Sequence, residues 1–140
     1  MNSKVVVDTS ILVKWLNQTD EKDIDKADQL MESALNGKTQ LFAPELAKYE
    51  LGNVLLKGKQ LVPSEAYISL GTAYALPINF VPESEELAKD TYRIASEFDV
   101  TYYDASFLSL AKQQNAILVT ENFKHQGKAK DILVKSLKDF

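Results

Sequence analysis

Acidic side chains recur at four comparable places in this chain: Asp8, Glu50, Asp104 and the segment Thr120-Glu121-Asn122. Asp8 follows three consecutive valines, Val5, Val6 and Val7, and precedes Thr9, Ser10 and a helical pattern from Ile11. A short buried strand ending there places Asp8 at the lip of a sheet, where open α/β folds bind ligands. Asp, Ser and Thr also cap helices, so Asp8 reads equally well as a cap. Glu50 falls on an i, i+4, i+8 stripe with Leu46 and Val54. A carboxylate on such a stripe is costly unless it is paired, hydrogen-bonded, protonated or bound to metal. The plain alternative is a Glu that reaches water at the end of the stripe or pairs with Lys57. Asp104 shares a helical face with Phe107, Leu108 and Ala111, yet Thr101-x-x-Asp104 also resembles a capping box. Thr120-Glu121-Asn122 follows Ile117-Leu118-Val119 much as Asp8 follows the valines, with ordinary turn chemistry as its alternative.

If these groups meet in one crevice, the chemistry they can do is narrow. Carboxylates sharing a site repel, and without a counter-charge some take up protons near neutral pH. An oxygen-only donor set suits Mg²⁺ or Mn²⁺, which keep waters for chemistry. Such a site activates water and stabilises the leaving oxygen of an in-line displacement, so phosphodiester hydrolysis is the natural reaction class.

The bulk composition limits the alternatives. The chain has 140 residues and no cysteine, which excludes disulfides, thiolate metal sites and cysteine nucleophiles. Its single histidine, His125, removes paired-histidine zinc motifs and is expected in a surface loop. Sixteen basic against twenty acidic residues leave a net charge of −4, unlike the basic surface of a general nucleic-acid binder. No apolar run approaches the roughly 18 residues of a membrane span, and the N-terminus lacks signal-peptide regions. A cytoplasmic protein is expected.

The elements that must position the acids follow from periodicity. After the Val5–Val7 strand, a short helix runs from Ile11 to Leu16. A second covers about Asp23 to Leu35 and ends at Asn36-Gly37. Leu41-Phe42-Ala43 reads as a strand, and Pro44 opens a helix over Glu45 to Leu56 that closes near Gly58. A helix from Pro63 to about Tyr74 and a strand over Ile78 to Val81 come next. Glu83 to Phe98 is amphipathic, with Leu87, Ala88, Tyr92, Ile94 and Ala95 among its apolar positions. A helix from Thr101 to about Gln114 then leads to a strand at Ala116–Val119, with Ile132–Val134 as a candidate fifth. Alternating strands and helices predict a three-layer α/β/α sandwich with a central, mainly parallel sheet, in a single domain over residues 1–140.

Four stretches carry a resemblance: VVVDTSIL, PELAKYELGNVL, TYYDASFLSLAKQQNAILVTEN and the closing ILVKSL. Together, in order and over nearly the whole chain, they resemble PIN-domain ribonucleases, most of all the VapC toxins of toxin–antitoxin pairs. The resemblance implies a PIN-like fold and metal-binding roles for Asp8, Glu50 and Asp104, with Thr9 or Ser10 as the small hydroxyl residue after the first acid. The family commonly ends its LVT strand with T-x-D. Asn122 stands there instead, keeping an oxygen but losing the charge, as a weaker ligand or water-positioning group. Glu121 compensates only if its side chain turns inward, against the tendency of neighbouring strand-end residues to point apart.

The implied activity is a Mg²⁺- or Mn²⁺-dependent endoribonuclease, a hydrolase of RNA phosphodiester bonds and the toxin of a VapBC-type pair. No residue is an obvious general base, so a metal-bound water is the expected nucleophile. Lys14, Lys48, Lys57 and Lys124 are candidate phosphate contacts or plain surface lysines. The implied partners are RNA, a cognate antitoxin whose basic tail enters the acidic crevice, and a second copy in a homodimer. Tyr49, Leu55, Leu56, Tyr67 and Tyr74 are candidate interface residues or core. The competing reading is a non-catalytic PIN-like module that binds RNA or protein, motivated by Asn122. A receiver domain would need an acidic pair before the Asp8 strand end, and a dehalogenase-like phosphatase an Asp where Ser10 stands.

Overall fold

The three valines at the start become the centre of the molecule. The computed structural model describes residues 3–140, and in it strand β1 (Ser3–Val7) buries Val5, Val6 and Val7 completely. Successive strand residues face opposite sides of a sheet, so three buried in a row mean that both faces are covered. The other strands are β2 (Thr39–Pro44), β3 (Ile78–Val81), β4 (Ile117–Val119) and β5 (Val134–Lys135). They form one sheet in the order β3-β2-β1-β4-β5, and every pairing is parallel. Val5 lies between Leu41 on β2 and Ile117 on β4. Helices cover both faces, as the expected three-layer α/β/α architecture requires.

Those helices are α1 (Thr9–Leu12), α2 (Ile24–Leu35), α3 (Leu46–Asn53), α4 (Pro63–Ala75), α5 (Glu85–Phe98), α6 (Tyr102–Gln114) and the single turn α7 (Phe123–Gln126). Three begin at a side-chain cap, α1 at Asp8, α5 at Ser84 and α6 at Thr101. Ser84 Oγ accepts from the Leu87 amide and Thr101 Oγ1 from the Asp104 amide. Gly37, at φ +75°, closes α2 in the left-handed conformation that glycine adopts without steric cost. Helix α6 packs against β1, β2 and β4 and buries every residue from Ala105 to Ala111. It is the central helix of the molecule, so Asp104 in its first turn is held rigidly.

Several boundaries differ from the expectation, each for a local reason. The first helix starts at Thr9 because the Asp8 carboxylate caps it, and it tightens to a 3-10 turn at Val13–Trp15. Pro44 closes β2 rather than opening α3; at a strand end its missing N–H costs no ladder bond. After Asn53 the chain widens into a π-helical turn over Val54–Gly58. Strand β5 lies at Val134–Lys135, with Ile132 before it, and α7 occupies a stretch expected as loop. Tyr92, read as an apolar-face residue of α5, is exposed. The side-chain exposure expected of His125 lies outside the described residues. Among the described residues no helix is long and apolar enough to cross a membrane.

Candidate metal centre

Strand order locates the crevice before any side chain is considered. The chain steps from β1 to β2 to β3 on one side and reaches β4 and β5 on the other. The order reverses between β1 and β4, and ligands of open parallel sheets bind beyond the strand ends at such a point. Asp8 leaves β1 there, its amide bonded to the Val119 carbonyl at 3.1 Å, and Thr120-Glu121-Asn122 leaves β4 beside it. The second turn of α3 brings in Glu50 and the first turn of α6 brings in Asp104. All four candidate residues, Asp8, Glu50, Asp104 and Asn122, line one open cleft of about 540 Å³.

The carboxylates are held by hydroxyls. Asp8 Oδ1 accepts from the Thr9 amide at 2.8 Å, and Oδ2 accepts from Ser10 Oγ at 3.1 Å and Thr120 Oγ1 at 2.7 Å. Thr9 Oγ1 donates to Glu50 Oε1 at 2.7 Å, tying the end of β1 to α3. The Ser10 and Thr120 hydroxyls also accept, from the Glu121 amide at 3.0 Å and the Asn122 amide at 2.8 Å. Each hydroxyl therefore spends its proton on Asp8 while fixing the turn after β4. Asn122 Nδ2 donates to Asp104 Oδ1 at 3.3 Å, and Gln126 Nε2 donates to the Asp104 carbonyl at 3.3 Å.

The two readings left open for Asp8 are both met, since one carboxylate caps α1 and lines the cleft. For Asp104, Thr101 caps the helix as expected, but the carboxylate turns to Asn122 rather than back to Thr101. Glu50 pairs with Thr9 and not with Lys57, and its Leu46–Glu50–Val54 stripe lines the cleft while Leu46 and Val54 also pack against the core. Glu121 is exposed and lines a neighbouring hollow with Lys14 and Glu21, apart from Asn122. Lys14 corrects both of its expected roles. It is buried, with Nζ 2.6 Å from the Lys22 carbonyl and 3.3 Å from Glu21. Lys48 pairs with Glu45 at 2.9 Å and lies over the rings of Tyr74 and Phe80, whereas Lys57 and Lys124 are exposed. Leu55 is core, while Tyr49, Leu56, Tyr67 and Tyr74 are exposed. The sequence brings in Thr120 only as part of Thr120-Glu121-Asn122, with no role of its own. Its signal was its place at the end of an apolar strand, two residues before Asn122.

Burial pushes the Asp8 carboxyl above the usual carboxylate range, against the three hydrogen bonds it accepts, and the charge of Asp104 adds to the rise. Glu50 is raised too, first by burial and then by Asp8 and Asp104, with the Thr9 hydroxyl opposing. Two carboxyls strained in this way, with a third beside them, form a site whose ionised state calls for a cation. Among the described residues no group of three or more His, Cys, Asp or Glu is arranged closely enough to hold an ion unaided. The donor set still fits Mg²⁺ or Mn²⁺, because Mg²⁺ is typically held by one or two carboxylates, waters and substrate phosphate rather than by a closed protein cage.

A family model for the PIN domain matches residues 5–130. Among solved structures, the chain is similar to VapBC2 from Rickettsia felis bound to a DNA fragment from its promoter. The TM-score is 0.72 at 17% identity, covering 95% of this chain and 98% of that one. PAE2754 from Pyrobaculum aerophilum is similar at TM-score 0.65 and 26% identity, covering 96% of this chain and 90% of that one. VapC20 from Mycobacterium tuberculosis, a sarcin–ricin loop cleaving toxin, is similar at TM-score 0.66 and 13% identity, covering 88% and 95%. No curated protein matches the sequence.

Proposed function

The chain belongs to the PIN domain family, and from that premise we propose that it is a divalent-metal-dependent endoribonuclease, the toxin of a VapBC-type pair. The observation that carries the proposal is the gathering of Asp8, Glu50 and Asp104, from three separate elements, in one open cleft at the sheet's switch point. The raised carboxyls of Asp8 and Glu50 support it, since both are strained by burial and by neighbouring negative charge.

A bound Mg²⁺ or Mn²⁺ would offset the crowded charge, polarise a phosphoryl oxygen and make water nucleophilic. Asp8, Glu50 and Asp104 would hold it, with Asn122 supplying an uncharged oxygen. The remaining tasks fall to this chain's own groups. Ser10 and Thr120 fix the Asp8 carboxylate, and Thr9 fixes Glu50. Asn122 holds one oxygen of Asp104, whose residue lines the cleft. The open cleft admits a flexible strand. A cognate antitoxin and a homodimer, in the cytoplasm, complete the proposal. The exposed Leu56, Tyr67 and Tyr74 supply apolar surface for protein contacts.

Purified protein freed of any antitoxin should cleave a mixed RNA pool with Mg²⁺ or Mn²⁺, stop with EDTA, and lose cleavage in Asp8→Asn and Asp104→Asn. Folded wild type that is as inactive as these variants would overturn the enzyme reading. Asn122, the uncharged residue among three acids, favours the second reading, a module that binds RNA without cutting it. Metal-dependent RNA binding with no cleavage would establish that instead.

A further inference from the structure

Each of the two helix-borne acids of the cleft is preceded by an exposed tyrosine, Tyr49 before Glu50 and Tyr103 before Asp104. We infer that Tyr49 and Tyr103 are stacking platforms for unpaired nucleobases on the two sides of the phosphate held at the carboxylates, an inference that rests on the ribonuclease reading above. Adjacent helix positions are rotated by about 100°. An acid turned into the cleft therefore leaves the preceding ring at its rim, and both rings line the same cleft as the acids.

Their exposure, 78% for Tyr49 and 60% for Tyr103, has no explanation in the fold. The neighbouring Tyr102 is tethered, its hydroxyl donating to Glu83 at 2.8 Å, whereas the Tyr49 and Tyr103 hydroxyls have no partner among the described residues. Nor do the two rings belong to the apolar groove on α3 and α4, which is lined by Leu55, Leu56, Leu61, Tyr67 and Leu70.

Charge explains why such platforms would be needed. The protein is net −4 and its cleft is walled by carboxylates, so no long-range field draws in a polyanion. Lys14 and Lys48 are engaged by Glu21 and Glu45. Beyond the cation, affinity must come from uncharged contacts, and every base offers a face that stacks on an aromatic ring. Bases within a duplex are already stacked, so the geometry selects single-stranded segments and splayed loops. A cleft of about 540 Å³ is in the size range of small-ligand sites.

Steady-state cleavage of a short single-stranded RNA with Mn²⁺ tests the assignment. Tyr49→Ala and Tyr103→Ala should each lower kcat/KM roughly ten-fold, carried by KM, and the Phe variants should restore it. A strand with both flanking bases removed should lose the product of the two factors in wild type and nothing further in the Tyr49→Ala/Tyr103→Ala double variant. Unchanged KM in both Ala variants of an active enzyme overturns the stacking role and leaves the ribonuclease reading standing. Ala variants that cleave normally but lose binding to a purified protein partner overturn it in favour of a protein-docking rim. A folded wild type that neither binds nor cleaves RNA overturns the ribonuclease reading, and this inference with it.

Discussion

Asn122 meets Asp104 as a hydrogen-bond donor, its amide nitrogen 3.3 Å from Oδ1 across the gap between α6 and the turn after β4. The substitution of Asn for a fourth acid therefore changes the sign of the contact as well as the charge of the cleft. Asn122→Asp would set two carboxylates against each other. In EDTA the variant should be less stable by about 1 kcal/mol, the scale of one such bond, and melt at a lower temperature. Saturating Mn²⁺ should close or reverse that gap, because a fourth carboxylate strengthens cation binding. Thermal melts with and without Mn²⁺ read both effects, and equal melting in EDTA would show that the Asn122 bond is idle.

Glu50→Gln keeps an acceptor for the Thr9 hydroxyl while removing a charge. Glu50 and Asp8 both titrate above their ordinary values of 4.5 and 3.8. The folded state therefore binds protons more readily than the unfolded chain, and stability falls as pH rises from those ordinary values through the raised ones. At neutral pH in EDTA both groups carry that cost. Glu50→Gln should then be more stable than wild type, with a shallower loss of stability between acidic and neutral pH. Urea melts across pH measure this, and a less stable Gln variant at neutral pH would contradict it.

Thr120→Val retains shape but deletes a fully buried hydroxyl that serves Asp8 and the Asn122 amide together. A hydrogen bond to a charged group contributes about 2 kcal/mol, and a partner that orients a metal ligand typically affects metal affinity or activity about 10- to 100-fold. Stability and RNA cleavage should both fall, with Thr120→Ser restoring most of each. Loss of stability without loss of Mn²⁺ affinity or cleavage would make Thr120 purely structural.

Away from the cleft, Glu21 holds Lys14 at 3.3 Å and Lys59 at 2.6 Å. Lys59 also donates to the Thr19 carbonyl, pinning the segment before α2 to the end of the π-helical turn. Glu21→Ala leaves the buried Lys14 uncompensated and should destabilise by about 3 kcal/mol. Lys14→Met should cost less, because it removes the buried charge itself and leaves Glu21 paired with Lys59. Chemical denaturation of the two variants tests the order.

The PIN-like sheet and its helices are legible because their signals are local. Val5–Val7 reads as a doubly buried strand, Thr101 as a cap, Asn36-Gly37 as a stop, and each is settled by neighbours a few residues away. Sequence and structure differ where one signal has two meanings. Pro44 suits both a helix start and a strand end, and Tyr92 sits at an apolar spacing but points to water. Lys14 has the pattern of a phosphate contact or a surface lysine, because its partner Glu21 and the Lys22 carbonyl come from a loop with no sequence signature.

By itself the sequence determined which residues could form the centre, because their types and their places at strand ends and helix starts are local properties. Tertiary structure decided what each one touches. Thr120 bonds Asp8 across 112 residues of chain, and Thr9 bonds Glu50 across 41. Such contacts exist only once β4 lies beside β1 in parallel and α3 returns over the same strand end. The direction of a single side-chain dipole, the Asn122 amide toward Asp104, is set by that packing and by no pattern along the chain.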